Sequence, residues 1–193
     1  MAIILASGSP RRQALLRKVG VSEFQIHVPN VREEADAALP PDKMVKVLAR
    51  KKASASSFRP GDVVIAADTV VVLDGRVLGK PKNRADAERM LSLLSGRRHQ
   101  VYTGVAVKKD EELLLSTEKT NVYFRTLLPG EIKAYAATGE PDDKAGAYGV
   151  QERGALFVEK IEGDYYNVMG LPLCMLSRML LTFGINLLTG EGM

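Results

Sequence analysis

The residue whose surroundings most demand a chemical explanation is Asp68. Val63, Val64, Ile65, Ala66 and Ala67 lead into Asp68 and Thr69, and Val70, Val71, Val72 and Leu73 follow. A carboxylate buried in such a run costs several kcal/mol unless a cation, a metal or hydrogen-bond donors meet it. Asp68 is therefore either satisfied by backbone N–H groups at a bulge or strand end, or it is a catalytic or metal-binding acid. Cations gathered before the run and at its end favour the second reading. Arg11 and Arg12 close the stretch Ser7, Gly8, Ser9, Pro10, Arg11, Arg12, and Lys80 and Lys82 flank Pro81. Lys51 and Lys52 follow Leu48 by three and four residues, so helical spacing sets both near an apolar stripe and does not choose between them.

The elements that must position these groups follow from pattern. Residues 3–6 read as a short buried strand, and Ser9 and Pro10 as the cap and first position of a helix whose core stripe is Leu15, Leu16 and Val19. A strand, a small-residue loop and a helix start together expose N–H groups at the positive end of a helix, which is an anion site. The spacing is neither the glycine-rich dinucleotide fingerprint nor the GxxxxGK[ST] loop, and a capped helix with two solvated arginines is its bland alternative. Residues 24–28 suggest a second strand, and residues 31–36 an acidic loop. Pro40 and Pro41 open a helix with Met44, Val45, Leu48 and Ala55 on one face.

The run around Asp68, apolar without alternation, predicts a strand covered on both faces in the middle of an α/β sheet. Asp74-Gly75 should turn it into a hairpin. A helix through Ala85, Met90, Leu91 and Leu94 ends at Gly96, and residues 99–108 and 113–125 alternate as long antiparallel strands. A helix from Pro129 carries Ile132, Tyr135 and Ala136, residues 157–161 form a strand, and a closing helix carries Leu173, Leu176, Leu180 and Phe183. Residues 142–151 are too rich in glycine and alanine for a helix interior and suit either a ligand-approaching loop or an irregular connection. Residues after Leu188 are expected to fray.

Composition narrows the classes. The 193 residues, 46% hydrophobic and 26% charged, suit one folded domain over residues 1–193. A net charge of +4 is spread through the chain, and aromatics are 6% with no Trp, so a small anion is a better partner than nucleic acid. No apolar run suits a membrane span and the start does not resemble a signal peptide, so no membrane partner and a cytoplasmic location are expected. Cys174 alone excludes an internal disulfide and is expected to be a small core residue. With only His27 and His99, any metal should be a hard divalent cation, Mg2+ or Mn2+, on carboxylate and substrate oxygens.

Six motifs in order extend the reading. Leu5-Ala6-Ser7-Gly8-Ser9-Pro10-Arg11-Arg12, Ala67-Asp68-Thr69-Val70-Val71, Gly79-Lys80-Pro81, Leu94-Ser95-Gly96, Asp143-Lys144-Ala145-Gly146-Ala147-Tyr148-Gly149-Val150-Gln151, and Gly163-Asp164-Tyr165 through to Gly170-Leu171-Pro172 together resemble the Maf family. These are nucleoside triphosphate pyrophosphatases, also called septum formation inhibitors, and the resemblance covers essentially the whole chain. It implies an α/β fold with an extended mixed β-sheet flanked by helices, in two lobes around a nucleotide cleft, related to the inosine triphosphate pyrophosphatases. It makes Asp68 the proton acceptor, places Ser7, Glu33, Lys52 and Lys80 in the catalytic cleft, and so selects Lys52 over Lys51. Arg11, Thr69 and Gln151 match positions that set base preference in the branch acting on dTTP and UTP. One departure is Glu152, where the family usually has glycine.

The two readings combine into one expectation. The triphosphate lies between residues 7–12, Arg12 included, and Lys52 and Lys80, with a divalent cation held by Glu33, Asp68 and phosphate oxygens. Water cleaves between the α and β phosphates, leaving a monophosphate and pyrophosphate. Asp68 either takes the proton directly or acts through the metal. Pairing of two chains into a homodimer is left open. The alternatives are a nucleotidyltransferase that uses an NTP and a phosphorylated acceptor, and a non-catalytic nucleotide-binding regulator of division.

Overall fold

A computed structural model of the chain describes residues 1–31, 38–56 and 58–192. Its strands are β1 (Ile3–Leu5), β2 (Gln25–Ile26), β3 (Val63–Leu73), β4 (Arg76–Leu78), β5 (Arg98–Lys109), β6 (Glu112–Phe124) and β7 (Val158–Glu162). Its helices are α1 (Pro10–Lys18), α2 (Pro41–Ser54), α3 (Arg84–Leu94), α4 (Pro129–Ala136), α5 (Tyr165–Met169) and α6 (Leu173–Thr182), with 3₁₀ turns at Ala145–Ala147 and Arg153–Phe157. Among the described residues the strands form one mixed sheet in the order β2-β1-β3-β5-β6-β7, with β4 beside β3. β1 runs parallel to both β2 and β3, whereas β3 with β4 and β6 with β7 are antiparallel.

The apolar run around Asp68 becomes a single unbroken strand of 11 residues, buried at all but Thr69. Asp74 and Gly75 then take φ values of 48° and 76°, the pair of positive φ angles that a tight primed turn requires, and Leu73 faces Arg76 across the hairpin. Asn83 caps α3 by accepting the Asp86 N–H at 2.9 Å.

The chain divides into two compact units. The first comprises Met1–Asp68, Thr103–Glu118 and Gly170–Met193, the second Thr69–Tyr102 and Lys119–Met169. In the first, the small side chains Ala49 and Ala53 of α2 pack on Ile4, Ala6, Val64, Ala66 and Ala106. In the second, α3 and α4 enclose a core with Val71, Leu73, Val101, Val122 and Phe124.

Several expectations need correction. Only Gln25 and Ile26 of residues 24–28 form a strand, and both are exposed because β2 lies at the sheet's edge with β1 as its one neighbour. Cys174 is exposed, not a core residue: it lies on the solvent side of α6, whose packed stripe is Leu173, Leu176, Met179 and Leu180. Ala55 is exposed past the end of α2, where Ala49, Lys52 and Ala53 take the buried face. The described residues after Leu188 fold back on the chain where fraying is expected. Asn186 N–H donates to Glu191 O and Gly190 N–H to Asn186 O, both at 2.9 Å, closing a turn. The five-residue helix α5 was not among the expected elements. It starts where the Asp164 carboxylate accepts the Tyr166 N–H at 2.7 Å.

Candidate active site

In the first unit the site is built from the packing of α2 on the sheet. Val64, Ala66 and Asp68 alternate onto one face of β3, and Ala49, Lys52 and Ala53 share one face of α2. Alanines at the contact let the helix lie close. Gly104 of β5 lets it lie closer still, since a Cβ there would come within 2.5 Å of the Val45 carbonyl. Lys52 is thereby delivered to Asp68, its Nζ donating to Oδ1 at 2.6 Å. Both residues are nearly closed to solvent, at 7% and 8% exposed, while Lys51 faces outward. A charge-assisted bond of this length fixes the carboxylate's orientation and meets the cost of burying it. Asp68 thus acquires a cationic partner without any break in the strand.

The loop after β1 is braced by one of its own arginines. Arg12 is buried, donating from Nε to the Gly170 carbonyl at 2.8 Å and from Nη1 to Ser7 Oγ at 3.1 Å. Ser7 Oγ also accepts the Ser9 N–H at 3.3 Å. Ser9 occupies the expected cap position but forms no side-chain cap bond, and the first turn of α1 carries no acid. The arrangement keeps the positive end of the helix available to an anion, with Arg11 half-buried beside it.

The second unit holds Thr69, Lys80 and Gln151. Lys80 is exposed in the turn after β4, and the preceding Gly79 accepts the Gly146 N–H at 3.0 Å. Gly146 has φ +70° and no room for a side chain, because a Cβ would meet Val71 at 2.9 Å. Its contact ties the loop of residues 142–151 to the Lys80 turn. Thr69 and Gln151 are half-buried. Glu152 is exposed, its Oε2 4.0 Å from Lys144 Nζ, so the acid that departs from the resemblance turns toward a lysine.

The structure therefore joins Ser7 with Arg12, and Lys52 with Asp68. Glu33 lies outside the described residues. Among the described residues no group of three His, Cys, Asp or Glu side chains is placed to hold a metal. Asp68 offers a hard oxygen donor in Oδ2, since Lys52 bonds to Oδ1, and that chemistry suits Mg2+ or Mn2+ when further oxygens come from a substrate or water.

Sequence reasoning missed a set of buried polar groups in the second unit. His99 is fully buried, its Nε2 2.8 Å from Tyr148 Oη and its ring edge-on to Phe124. Burial lowers the imidazole to about 4 and raises the Tyr148 phenol. The Tyr135 phenol is also raised, first by burial and then by its bond to Glu140. Their periodic neighbours were legible as core, but nothing in the spacing pairs residues 99 and 148.

A mixed sheet with its strands flanked by helices defines an α/β protein whose architecture is shared with solved Ham1 proteins. The one from Coxiella burnetii matches with a TM-score of 0.50 at 17% identity over 94% of this chain and 100% of that one. The one from Staphylococcus aureus gives 0.52 at 14% identity over 95% and 100%. These likenesses concern the fold alone. The family description "Maf-like protein" matches residues 2–183, and the chain belongs to the Maf family. It is 54% identical over 189 residues, 97% of each chain, to a dTTP/UTP pyrophosphatase of Symbiobacterium thermophilum. It is 50% identical over 184 residues, 95% of this chain and 97% of the other, to the dTTP/UTP pyrophosphatase of Bacillus pumilus.

Proposed function

We propose that the protein hydrolyses dTTP and UTP between the α and β phosphates, releasing the nucleoside monophosphate and pyrophosphate, in the cytoplasm. The observation that carries this reading is the buried Lys52–Asp68 pair in a chain that shares half its residues, along nearly its full length, with pyrophosphatases of that name. The α1 N-terminus and Ser7, in a loop that Arg12 braces, take the phosphates, and Lys52 and Lys80 offset the charge that spreads over the phosphoryl oxygens. Asp68 orients the attacking water and accepts its proton as oxygen bonds to the α phosphorus. The bond from that phosphorus to the bridging oxygen breaks, and pyrophosphate leaves with the electron pair. A divalent cation, held by Asp68 and Glu33 when bound, would supply further charge neutralisation at the phosphates.

Thr69 and Gln151 read the base edge and Arg11 the base or sugar. A site built for polar pairing rejects a wrong base because its own donors are then left unpaired. The test is a panel of dTTP, UTP, CTP, ATP and GTP with Mg2+ or Mn2+ and no acceptor, with products resolved. Monophosphate and pyrophosphate from dTTP and UTP, well ahead of the purines, are expected. Preference for purine triphosphates would overturn the base assignment, and an idle enzyme that turns over only with a phosphorylated acceptor would point to a transferase.

A further inference from the structure

The stretch that carries Gln151 is held at its far end by one carboxylate and at its near end by the tyrosine hydroxyl that the same carboxylate binds. Glu140, four residues past the end of α4, accepts the Tyr135 O–H on Oε1 at 2.7 Å, the Gly154 N–H on Oε1 at 3.2 Å and the Arg153 N–H on Oε2 at 3.2 Å. Tyr135 Oη in turn accepts the Gly149 N–H at 3.2 Å. Glu140 is itself fixed, since Lys144 Nζ donates to its carbonyl at 2.6 Å and its N–H donates to Thr138 Oγ1 at 3.1 Å.

The two glycines at the ends of this stretch lie against each other. A Cβ on Gly154 would come within 2.5 Å of the Gly149 carbonyl oxygen and 2.8 Å of Tyr135 Oη, and one on Gly149 within 2.7 Å of Lys144 Cε. Residues 150–153 therefore leave and return through a narrow neck with the Tyr135–Glu140 pair at its base. Val150 is buried in the core of the unit, and Gln151 follows it, half-buried. With the backbone pinned before and after it, the Gln151 side chain starts from a fixed direction.

We infer that Tyr135 and Glu140 are positioning residues for base selection, acting through the neck at Gly149 and Gly154 to aim Gln151. This rests on the reading of Gln151 as a base-recognising group. The carboxylate is the one group that suits the place, because both of its oxygens accept. A glutamine at 140 would set an amide N–H against a backbone N–H. The bonds are local to one unit, while Lys52 and Asp68 belong to the other, so selection and turnover should separate in the kinetics.

The experiment compares wild type with Tyr135→Phe, Glu140→Gln and Gln151→Ala, measuring kcat and KM for dTTP, UTP, ATP and GTP below each variant's melting temperature. Tyr135→Phe keeps the ring on Phe157, whose centroid is 4.8 Å away, and Glu140 is half-exposed, so each variant checks the other should one fail to fold. The expected result is a KM for dTTP and UTP raised about tenfold with kcat changed less, and purine constants little altered, so that preference falls about tenfold. Tyr135→Phe combined with Gln151→Ala should lose little more than Gln151→Ala alone, because the two act as a unit. Unchanged preference in the folded variants, a proportional loss for every nucleotide, or a lowered melting temperature with preference intact would overturn the inference. A wild-type enzyme that leaves dTTP and UTP untouched would instead overturn the functional reading beneath it.

Discussion

Two buried polar pairs, one in each unit, are built in opposite ways. In the first, Lys52 and Asp68 face each other at 2.6 Å as ammonium and carboxylate, a pair of full charges held on α2 and β3. In the second, His99 and Tyr148 meet at 2.8 Å with neither carrying charge near neutrality, because burial lowers the imidazole to about 4 and raises the phenol. A neutral pair costs less to bury than a charged one, and an aromatic cluster of Phe124, Tyr148 and His99 packs around it, although His99 Nδ1 is left buried without a hydrogen-bond partner. A charged pair must be met atom for atom, and replacing it by apolar residues is often neutral or stabilising. Its presence in the first unit therefore points to chemistry, and the neutral cluster in the second points to the shaping of a scaffold.

The largest effect expected from this contrast is on turnover. Asp68→Asn keeps the size of the side chain and an acceptor for Lys52 but removes the proton acceptor, so kcat for dTTP should fall by about 100-fold or more. Circular dichroism and melting should show the fold retained. An Asn variant with normal turnover would place the charged pair among structural features and erase the distinction between the units. Stability should respond more to Lys52→Met, which leaves a carboxylate without its cation in a nearly closed site. A loss of about 3–5 kcal/mol in denaturant unfolding is expected, against little or no gain from any new apolar contact. A more stable Lys52→Met protein would mean that Asp68 finds other partners.

How much of this could be read beforehand differs between the same two regions. Asp68 was conspicuous because an acid in a β-branched run has few explanations, and the strand, the Asp74-Gly75 turn and the helix starts at Pro10 and Pro41 follow from local rules. The choice of Lys52 over Lys51 was not legible from spacing, since one residue of helix register depends on how Ala49, Ala53 and Gly104 let α2 approach the sheet. The family resemblance selected Lys52 where periodicity did not. Glu140 was invisible for a different reason. It lies between Gly139 and Pro141 with two more acids, Asp142 and Asp143, just beyond, and its partners are backbone N–H groups 13 and 14 residues on and a tyrosine hydroxyl, none of which has a sequence signature. Gly149, within the glycine- and alanine-rich residues 142–151, was the visible trace of that neck.

A smaller effect tests the neutral cluster. His99 is held neutral in the fold, below its ordinary value of 6.5 and down to about 4, so the unfolded chain binds a proton there that the folded one does not. Between those values stability rises with pH. The contribution is fully present above about 6.5 and is lost as pH falls toward 4, amounting to on the order of 3 kcal/mol across the window. Guanidinium unfolding at several pH values from 7 down to about 4.5 should show this slope, and His99→Phe should flatten it. An unaltered slope in His99→Phe would show that the imidazole reaches solvent as a cation, and the His99–Tyr148 pair would no longer count as a neutral one.

The smallest effect comes from a third kind of pair, charged but open to water. Arg125 grips Glu131 through Nη2 to Oε1 at 2.7 Å and Nη1 to Oε2 at 3.0 Å, and Glu131 Oε2 also accepts the Leu128 N–H at 2.9 Å at the start of α4. These bonds, the arginine's first, hold the carboxyl at about 2, so its support is present above the usual carboxylate range and is lost as pH falls toward 2. Solvent screens such a pair, and exposed ion pairs contribute little. A double-mutant cycle with Arg125→Gln and Glu131→Gln should give a coupling far below the Lys52→Met loss, and one that shrinks further in about 1 M NaCl, where screening acts within about 3 Å. The Lys52→Met loss should persist in the same salt, because water and ions do not reach between Nζ and Oδ1. If both effects fell together, the Lys52–Asp68 pair would be behaving as a surface pair, and its burial could not explain why Asp68 is tolerated within β3.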